Sequence, residues 1–223
     1  MQRLKGCLDT SFVDWPGRMC AVLFLAGCNF RCPFCHNHEL VLAPGQLPSL
    51  PWPEERLRLR SRRRWLGGIT VSGGEPTLDP ELPRLAAELR DDGWPVKLDT
   101  NGSRPEVLEG LLAAGLLDMV AMDVKAPLEP EPYAQAAGVA VDLAAIRASI
   151  DLLAASGIPH QFRLTVVPGL HDAAAVRAWH RSLPPSGRRV LQGFRPLTTL
   201  DPAFRDRPTF SPAQLDALQA ELA

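Results

Sequence analysis

The sequence has no long apolar run. Its hydrophobic stretches fall far short of the roughly 20 residues that a membrane-spanning helix needs. Met1-Gln2-Arg3-Leu4-Lys5-Gly6 also lacks the apolar segment that heads an export signal. A cytoplasmic protein is expected. Neither sign of charge dominates: 24 Lys and Arg stand against 25 Asp and Glu, a net charge of -1. That balance gives no global attraction for nucleic acid or an anionic membrane, so neither is expected as a partner. Cysteine is scarce, at five in 223 residues. Without an export signal, five cysteines argue against a disulfide framework and for a reduced compartment. No repeat stands out beyond a Pro-rich and an Arg-rich segment.

What is present suits one α/β domain over 1–223, with 46% hydrophobic residues to fill its core. Gln2 to Leu8 and Met19 to Ala26 read as two strands joined across Asp14-Trp15-Pro16-Gly17, whose Pro-Gly supplies the turn. Leu42 to Pro53 carries five prolines and glycines that forbid regular structure, so an exposed connection is expected there. From Glu54, Leu57, Leu59, Trp65 and Leu66 interleave with Arg56, Arg58, Arg60, Arg62, Arg63 and Arg64, the pattern of an amphipathic helix with a solvated basic face. Six arginines also suit partner or nucleic-acid docking, but only Trp65 is there to stack on a base.

Strand and helix then alternate. Strands are expected over Gly68 to Ser72, Pro95 to Asp99, Asp118 to Val124, His160 to Val167 and Arg188 to Phe194. Helices are expected over Pro80 to Arg90, Pro105 to Ala114, Asp142 to Ser156, Asp172 to Ser182 and Pro212 to Leu222. Near-continuous apolar strands in βα units imply a parallel sheet covered by helices. Six such strands, counted from Met19 to Ala26, are too few for a closed eight-stranded barrel.

The chemistry centres on Ala26 to Asn37, where Cys28, Cys32 and Cys35 fall at C-x3-C-x2-C spacing on a loop after a buried strand. Three thiolates so spaced can wrap one compact metal centre. A [4Fe-4S] cube normally takes four Cys, so three leave one iron open to a substrate. The competing reading is a structural Cys3His zinc site with His38. Structural zinc usually takes two separated ligand pairs, and there is no second Cys pair. Cys7 and Cys20 read as packed strand residues.

C-x3-C-x2-C after one strand, with Ser72-Gly73-Gly74-Glu75-Pro76 after the next, resembles the radical S-adenosylmethionine superfamily. Asp14-Trp15-Pro16-Gly17, Cys35-His36-Asn37, Leu98-Asp99-Thr100-Asn101-Gly102 and Asp123-Val124-Lys125 resemble its glycyl-radical activating enzymes, above all the short activating protein of anaerobic ribonucleoside-triphosphate reductase. The resemblance implies a partial (β/α)6 barrel of parallel strands with outer helices and an N-terminal hairpin. Its site would lie at the C-terminal strand ends, where Cys28, Gly73, Asp99, Asp123, Arg163 to Val167 and Arg195 fall.

Cys28, Cys32 and Cys35 are thereby implied to hold a [4Fe-4S] cluster whose open iron is chelated by the amino and carboxylate groups of S-adenosylmethionine. Reductive cleavage would give methionine and a 5′-deoxyadenosyl radical. Gly73, Gly74 and Glu75 would receive the ammonium, Asp99 and Asp123 would lie near ammonium and ribose, and Lys125 would pair with the carboxylate. Asp99, Thr100, Asp123 and a carbonyl near Ala121 match a monovalent-cation site of a relative. Phe34, His36 and Asn37 stand at adenine-contacting positions. Arg163, a charge on an apolar strand, needs a partner, for which a ligand carboxylate is expected; Val167 would wall the adenine. Arg195 stands where pyruvate formate-lyase activating enzyme has a His, and it cannot accept a proton.

The implied reaction abstracts a Cα hydrogen from a glycine of the anaerobic reductase's large subunit, with electrons from a flavodoxin or ferredoxin. Still open at this point are another glycyl-radical enzyme as target, a small-molecule radical enzyme resembling 7-carboxy-7-deazaguanine synthase, and a non-catalytic zinc module.

Overall fold

Short apolar runs between turn residues set the strands, and β2, from Cys20 to Leu25, is apolar throughout. In the computed structural model, which describes residues 3–222, the strands are β1 (Leu4–Ser11), β2 (Cys20–Leu25), β3 (Gly68–Gly73), β4 (Val96–Thr100), β5 (Met119–Asp123), β6 (His160–Val166) and β7 (Arg188–Gly193). Gln2, the expected start of the first strand, lies outside the described residues. The strands form one sheet in chain order, with β1 and β7 at its edges. β1 runs antiparallel to β2, whereas β2–β3, β3–β4 and β6–β7 are parallel. This is the open, mainly parallel sheet with a leading hairpin that the sequence implies.

The helices are α1 (His38–Leu42), α2 (Trp52–Ser61), α3 (Leu82–Asp91), α4 (Pro105–Ala113), α5 (Pro130–Ala137), α6 (Leu143–Ala155), α7 (Ala173–Arg181) and α8 (Pro212–Ala220). The described residues fall into two compact units, neither continuous in sequence: one takes the chain up to Asn29, Glu39–Thr100 and Glu106–Val120, the other Phe30–His38, Asn101–Pro105 and the chain from Ala121.

In the first unit β2 is buried along nearly its whole length, and Trp15 from the hairpin packs with Cys20, Val22 and Met119. A Cβ on Gly68 would stand 2.8 Å from the Trp15 ring. The Asp-Trp-Pro-Gly turn is therefore a plug, closed by the Ser11 hydroxyl donating to Asp14 at 2.5 Å.

The Pro-rich stretch is more regular than expected. It contains a 3-10 turn at Pro44–Gln46, and Pro53 lies in the first turn of α2, where its missing N–H costs nothing. The Leu50 N–H donates to the Leu4 carbonyl, and Lys5 donates to the Leu47 carbonyl, so this stretch lies along the outer edge of β1.

The basic stretch corrects the expectation only in part: α2 ends at Ser61, ahead of Arg62, Arg63 and Arg64, while Arg60 and Arg64 stay exposed as a solvated face requires. Arg56 pairs with Glu88 and Asp92, Arg58 with Asp9 and Glu55, and Arg62 with Asp9; Arg63 donates to the carbonyls of Asp92 and Gly93 and lies over the Trp94 ring. Partners far apart in sequence, invisible to a local reading, take several of these charges. A groove of about 500 Å³ beside α2, lined by Trp52, Arg56, Leu57 and Arg60 among others, contains none of the candidate site residues.

In the second unit, Asp142 and Asp172 cap α6 and α7 with side-chain oxygens on backbone N–H groups. Helix α5 is missing from the sequence reading, because Pro130 and Pro132 in eight residues read as a breaker although both fall in the first turn. It ends at Gly138, whose φ of 70° lets the chain turn away. The Arg31 N–H donates to the Ala137 carbonyl at 2.8 Å, and a Cβ on Gly138 would lie 2.0 Å from the Arg31 carbonyl oxygen. Gly138→Ala is therefore expected to destabilise the protein by about 3 kcal/mol, combining a left-handed backbone with overpacking. Equal denaturation midpoints for variant and wild type would show that the Cys-bearing loop yields freely at Arg31.

Strand β7 is largely exposed, and Gln219 of α8 bonds its edge, accepting from the Leu191 N–H and donating to the Arg189 carbonyl.

Candidate active site

Within the first unit, the exits of β2 and β3 are bonded together. The Gly74 N–H donates to the Leu25 carbonyl and the Glu75 N–H to the Gly27 carbonyl, both at 2.8 Å. A Cβ on Gly73 would stand 2.2 Å from the Leu25 oxygen, and one on Gly74 2.1 Å from the Gly27 oxygen. The sequence assigns these glycines to a small ligand; the structure also gives them this backbone contact, which holds the strand preceding Cys28.

Glu75 is turned into the fold. Its Oε1 accepts from the Thr77 N–H, the Thr77 hydroxyl at 2.5 Å and the Thr100 hydroxyl at 2.7 Å, and the residue is 1% exposed. Thr100, expected at a cation, donates to Glu75. Asp99 is buried and accepts from Ser72 and from the fully buried Lys97. Lys97 is a residue that the sequence reading passed over. Its signal was there, a Lys two positions from an Asp on one face of an apolar strand, since a buried ammonium requires a counter-charge.

Within the second unit, a tight turn joins the last two cysteines, the Cys35 N–H donating to the Cys32 carbonyl at 3.0 Å. Burial pushes the Cys35 thiol up, opposed by Lys125 and the Asn37 N–H. Phe34 is buried between these cysteines in sequence, whereas His36 is exposed. Partial burial pulls His36 below the usual imidazole range, and Arg195 adds to the effect.

The centre of this unit is a charge triplet. Arg163 Nε donates to Asp123 Oδ1 at 2.7 Å, and Lys125 Nζ donates to Oδ2 at 3.0 Å. The partner that the sequence sought for Arg163 in a ligand is thus Asp123 of the protein itself, forty residues earlier. Lys125, expected on a ligand carboxylate, also binds Asp123. Burial pushes the Asp123 carboxyl up, but Arg163 and Lys125 outweigh it and hold it well below the carboxylate range. Burial likewise opposes the Lys125 charge, yet Asp123 and then Cys32 keep the ammonium fully protonated.

His171 was also missed. Its Nδ1 accepts from the Val167 N–H, which leaves the proton on Nε2 to donate to the Lys125 carbonyl at 2.9 Å. Burial lowers it to about 4, so it is a neutral strut between the end of β6 and the turn after β5. Trp179 donates from its indole to the Val124 carbonyl and steadies the same turn. No local pattern marks either residue, because both act on backbone atoms about fifty positions away.

All five cysteines are free thiols. Cys20 is a core residue whose sulfur meets the Thr70 hydroxyl, and burial pushes Cys7 up to about 11. Among the described residues no three His, Cys, Asp or Glu side chains are drawn together as a ready metal cage. The donor chemistry of Cys28, Cys32 and Cys35, three soft thiols on one short loop with an ammonium beside the last two, nevertheless fits an iron–sulfur cluster.

The Radical SAM superfamily profile matches residues 22–178, most of the chain, from within β2 to beyond β6. The chain belongs to this superfamily. Its cofactors are therefore a [4Fe-4S] cluster and S-adenosylmethionine, and it is an enzyme of the radical SAM type.

A Methanocaldococcus jannaschii protein named as a glycyl-radical enzyme activating enzyme is 31% identical over 210 residues, 92% of this chain and 85% of that one. The pyruvate formate-lyase-activating enzyme of Streptococcus mutans is 32% identical over 172 residues, 72% of this chain and 63% of that one. Among solved structures, SuiB of Streptococcus suis bound to its precursor peptide SuiA gives a TM-score of 0.69 at 13% identity, a likeness of fold. It covers 90% of this radical SAM chain but only 44% of SuiB. Among the described residues, no helix is long and apolar enough to cross a membrane.

Proposed function

We propose that this radical SAM enzyme generates a glycyl radical on a partner protein, and that the partner is an anaerobic ribonucleoside-triphosphate reductase. The observation that carries the activating role is the likeness to the archaeal protein, which runs through nearly the whole of both chains. A likeness confined to the cluster motif would support only the superfamily.

In this reading Cys28, Cys32 and Cys35 hold the cluster. Gly73, Gly74, Glu75, Lys125 and Arg163 take the methionine end of S-adenosylmethionine, Asp99 and Asp123 lie near its ammonium and ribose, Phe34, His36, Asn37 and Val167 line its adenine, and Arg195 stands near the cofactor. When bound, the pair supplies one-electron cleavage of a sulfonium and thereby hydrogen abstraction. The chain's own residues supply position. Asp123 stays anionic and Lys125 cationic across the physiological range, and His171 holds the Lys125 backbone without gaining charge. A fixed array of opposite charges suits the dipolar methionine end of the cofactor.

The target glycine must come from a polypeptide segment that its own protein releases by local opening. Arg195, unable to accept a proton, favours the reductase over a formate-lyase, while the Streptococcus mutans relative favours the lyase as the second reading. A flavodoxin or ferredoxin donor and a cytoplasmic location complete the proposal. A zinc module has no place in an enzyme of this superfamily.

With reductant and S-adenosylmethionine, the protein is expected to raise a glycyl radical on the reductase large subunit, read by electron paramagnetic resonance and absent when the target glycine is alanine. A signal on a formate-lyase alone would move the target and keep the chemistry. Turnover of a small molecule with no protein radical would overturn the activating role.

A further inference from the structure

The peptide planes on both sides of Lys125 are pinned. The Val124 carbonyl accepts from the Trp179 indole N–H at 3.0 Å, and the Lys125 carbonyl accepts from His171 Nε2 at 2.9 Å. A peptide unit is planar, so each residue has two soft dihedrals, one towards each neighbouring plane. Holding both planes fixes φ and ψ of Lys125, and with them the direction in which its side chain leaves the backbone.

Both donors come from one element. Trp179 lies on α7, and His171 stands immediately before Asp172, which caps that helix. Trp179 is 0% exposed and His171 2%, so water does not compete for either N–H. The His171 proton is kept on Nε2 because Nδ1 accepts from the Val167 N–H at 3.0 Å, and the His171 N–H in turn donates to the Val167 carbonyl at 2.9 Å. The Val124 N–H donates to the Arg163 carbonyl at 3.0 Å, which ties the bracketed turn to β6.

The group so aimed is an ammonium with three protons. Asp123 takes one at 3.0 Å, and the Lys125 side chain keeps 15% exposure, so it can meet a ligand as well as Asp123. We propose that His171 and Trp179 are positioning residues for carboxylate recognition: together they aim the Lys125 ammonium at the carboxylate of S-adenosylmethionine while it stays on Asp123. The proposal rests on the reading that Lys125 takes the methionine end of the cofactor. Rings that served stability alone would affect every part of a ligand alike, whereas a bracket that aims one ammonium affects the ligand's carboxylate.

The test uses protein reconstituted anaerobically with iron and sulfide and kept without reductant, so that bound cofactor is not cleaved. Dissociation constants are measured by calorimetry for S-adenosylmethionine and for decarboxylated S-adenosylmethionine, which keeps the amine, sulfonium and nucleoside and lacks only the carboxylate. Their ratio is the carboxylate preference. His171→Asn retains an acceptor at the reach of Nδ1 but loses the donor at the reach of Nε2, and Trp179→Phe loses the indole N–H. Each is expected to lower the preference about tenfold, the scale of one hydrogen bond to a charged group, with the decarboxylated analogue bound as in wild type. His171→Gln, whose amide N–H₂ reaches as far as Nε2, should keep the preference. Val176→Ala, a packing loss on the same helix, should lower the unfolding temperature and keep it too.

An unchanged preference in both His171→Asn and Trp179→Phe would overturn the proposal, as would equal weakening of the two ligands. If Trp179→Phe does not fold, His171→Asn against His171→Gln decides alone. Lys125→Met checks the underlying reading separately. A preference lost there but kept in the bracket variants would sink the bracket and leave Lys125 on the carboxylate. A preference unchanged in Lys125→Met would remove Lys125 from the carboxylate, and the bracket's role with it.

Discussion

Replacing Cys28, Cys32 or Cys35 by Ala, one at a time, is expected to reduce the iron bound after anaerobic reconstitution from about four per chain to near zero. Each thiolate is one of three attachments for a group that normally has four, so two leave the cluster exposed to loss. Cys7→Ala and Cys20→Ala should keep their iron. Cys20 sits in the core of β2 against Thr70, and its replacement costs about 1–2 kcal/mol of stability without touching the loop. Iron and sulfide analysis with the visible absorption of the cluster distinguishes the two groups. Full iron in any of the three loop variants would remove that cysteine from the site, and a wild type that binds one zinc and refuses iron would remove the cluster.

Asp123→Ala carries the second large effect. Its carboxylate is held between Arg163 and Lys125, so removing it leaves two inward cations facing each other. The Asp123 side chain keeps 28% exposure, so the lower end of the range for broken buried pairs applies, about 3 kcal/mol. The sign with pH follows from the direction of the shift. The native carboxyl lies below its unfolded value of about 3.9, so its contribution is fully present above that pH and is lost as pH falls towards the native value. The gap between wild type and variant should therefore be flat through neutrality and narrow only below about pH 4. With Lys125 and Arg163 released, formation of 5′-deoxyadenosine should drop by about 10²-fold, the scale of a small misplacement at a reacting centre, while the iron remains. Unchanged cleavage would take the triplet out of the cofactor's surroundings.

The sheet was legible in the sequence because its signals are local. Apolar runs between turn residues gave every strand to within two or three residues, and Asp142 and Asp172 announced their helices. Helix α5 was not legible, since prolines permitted in a first turn look the same as prolines that break a helix. The loop cysteines were legible as a spacing and the Gly73-Gly74-Glu75 turn as a motif. What Glu75 does with its carboxylate was hidden, because Thr77 and Thr100 become its donors only after β3 and β4 are side by side. Arg163 shows the same limit from the other direction. The need for a counter-charge could be read from one strand, but not that Asp123 on the preceding strand would provide it. Lys97 was overlooked although the same reasoning, applied at a spacing of two, would have found it.

Gln219 has a consequence for colloidal behaviour. An edge strand offers a ladder of unused donors and acceptors on which another chain can build, and β7 has neither charge on every residue nor a proline to discourage it. One primary amide, offering both a C=O and an N–H₂, occupies the Leu191 and Arg189 rungs and imitates one residue of a neighbouring strand. Helix α8 contributes no buried residue of its own, yet through Gln219 it covers two of the rungs on which a second copy could add a strand.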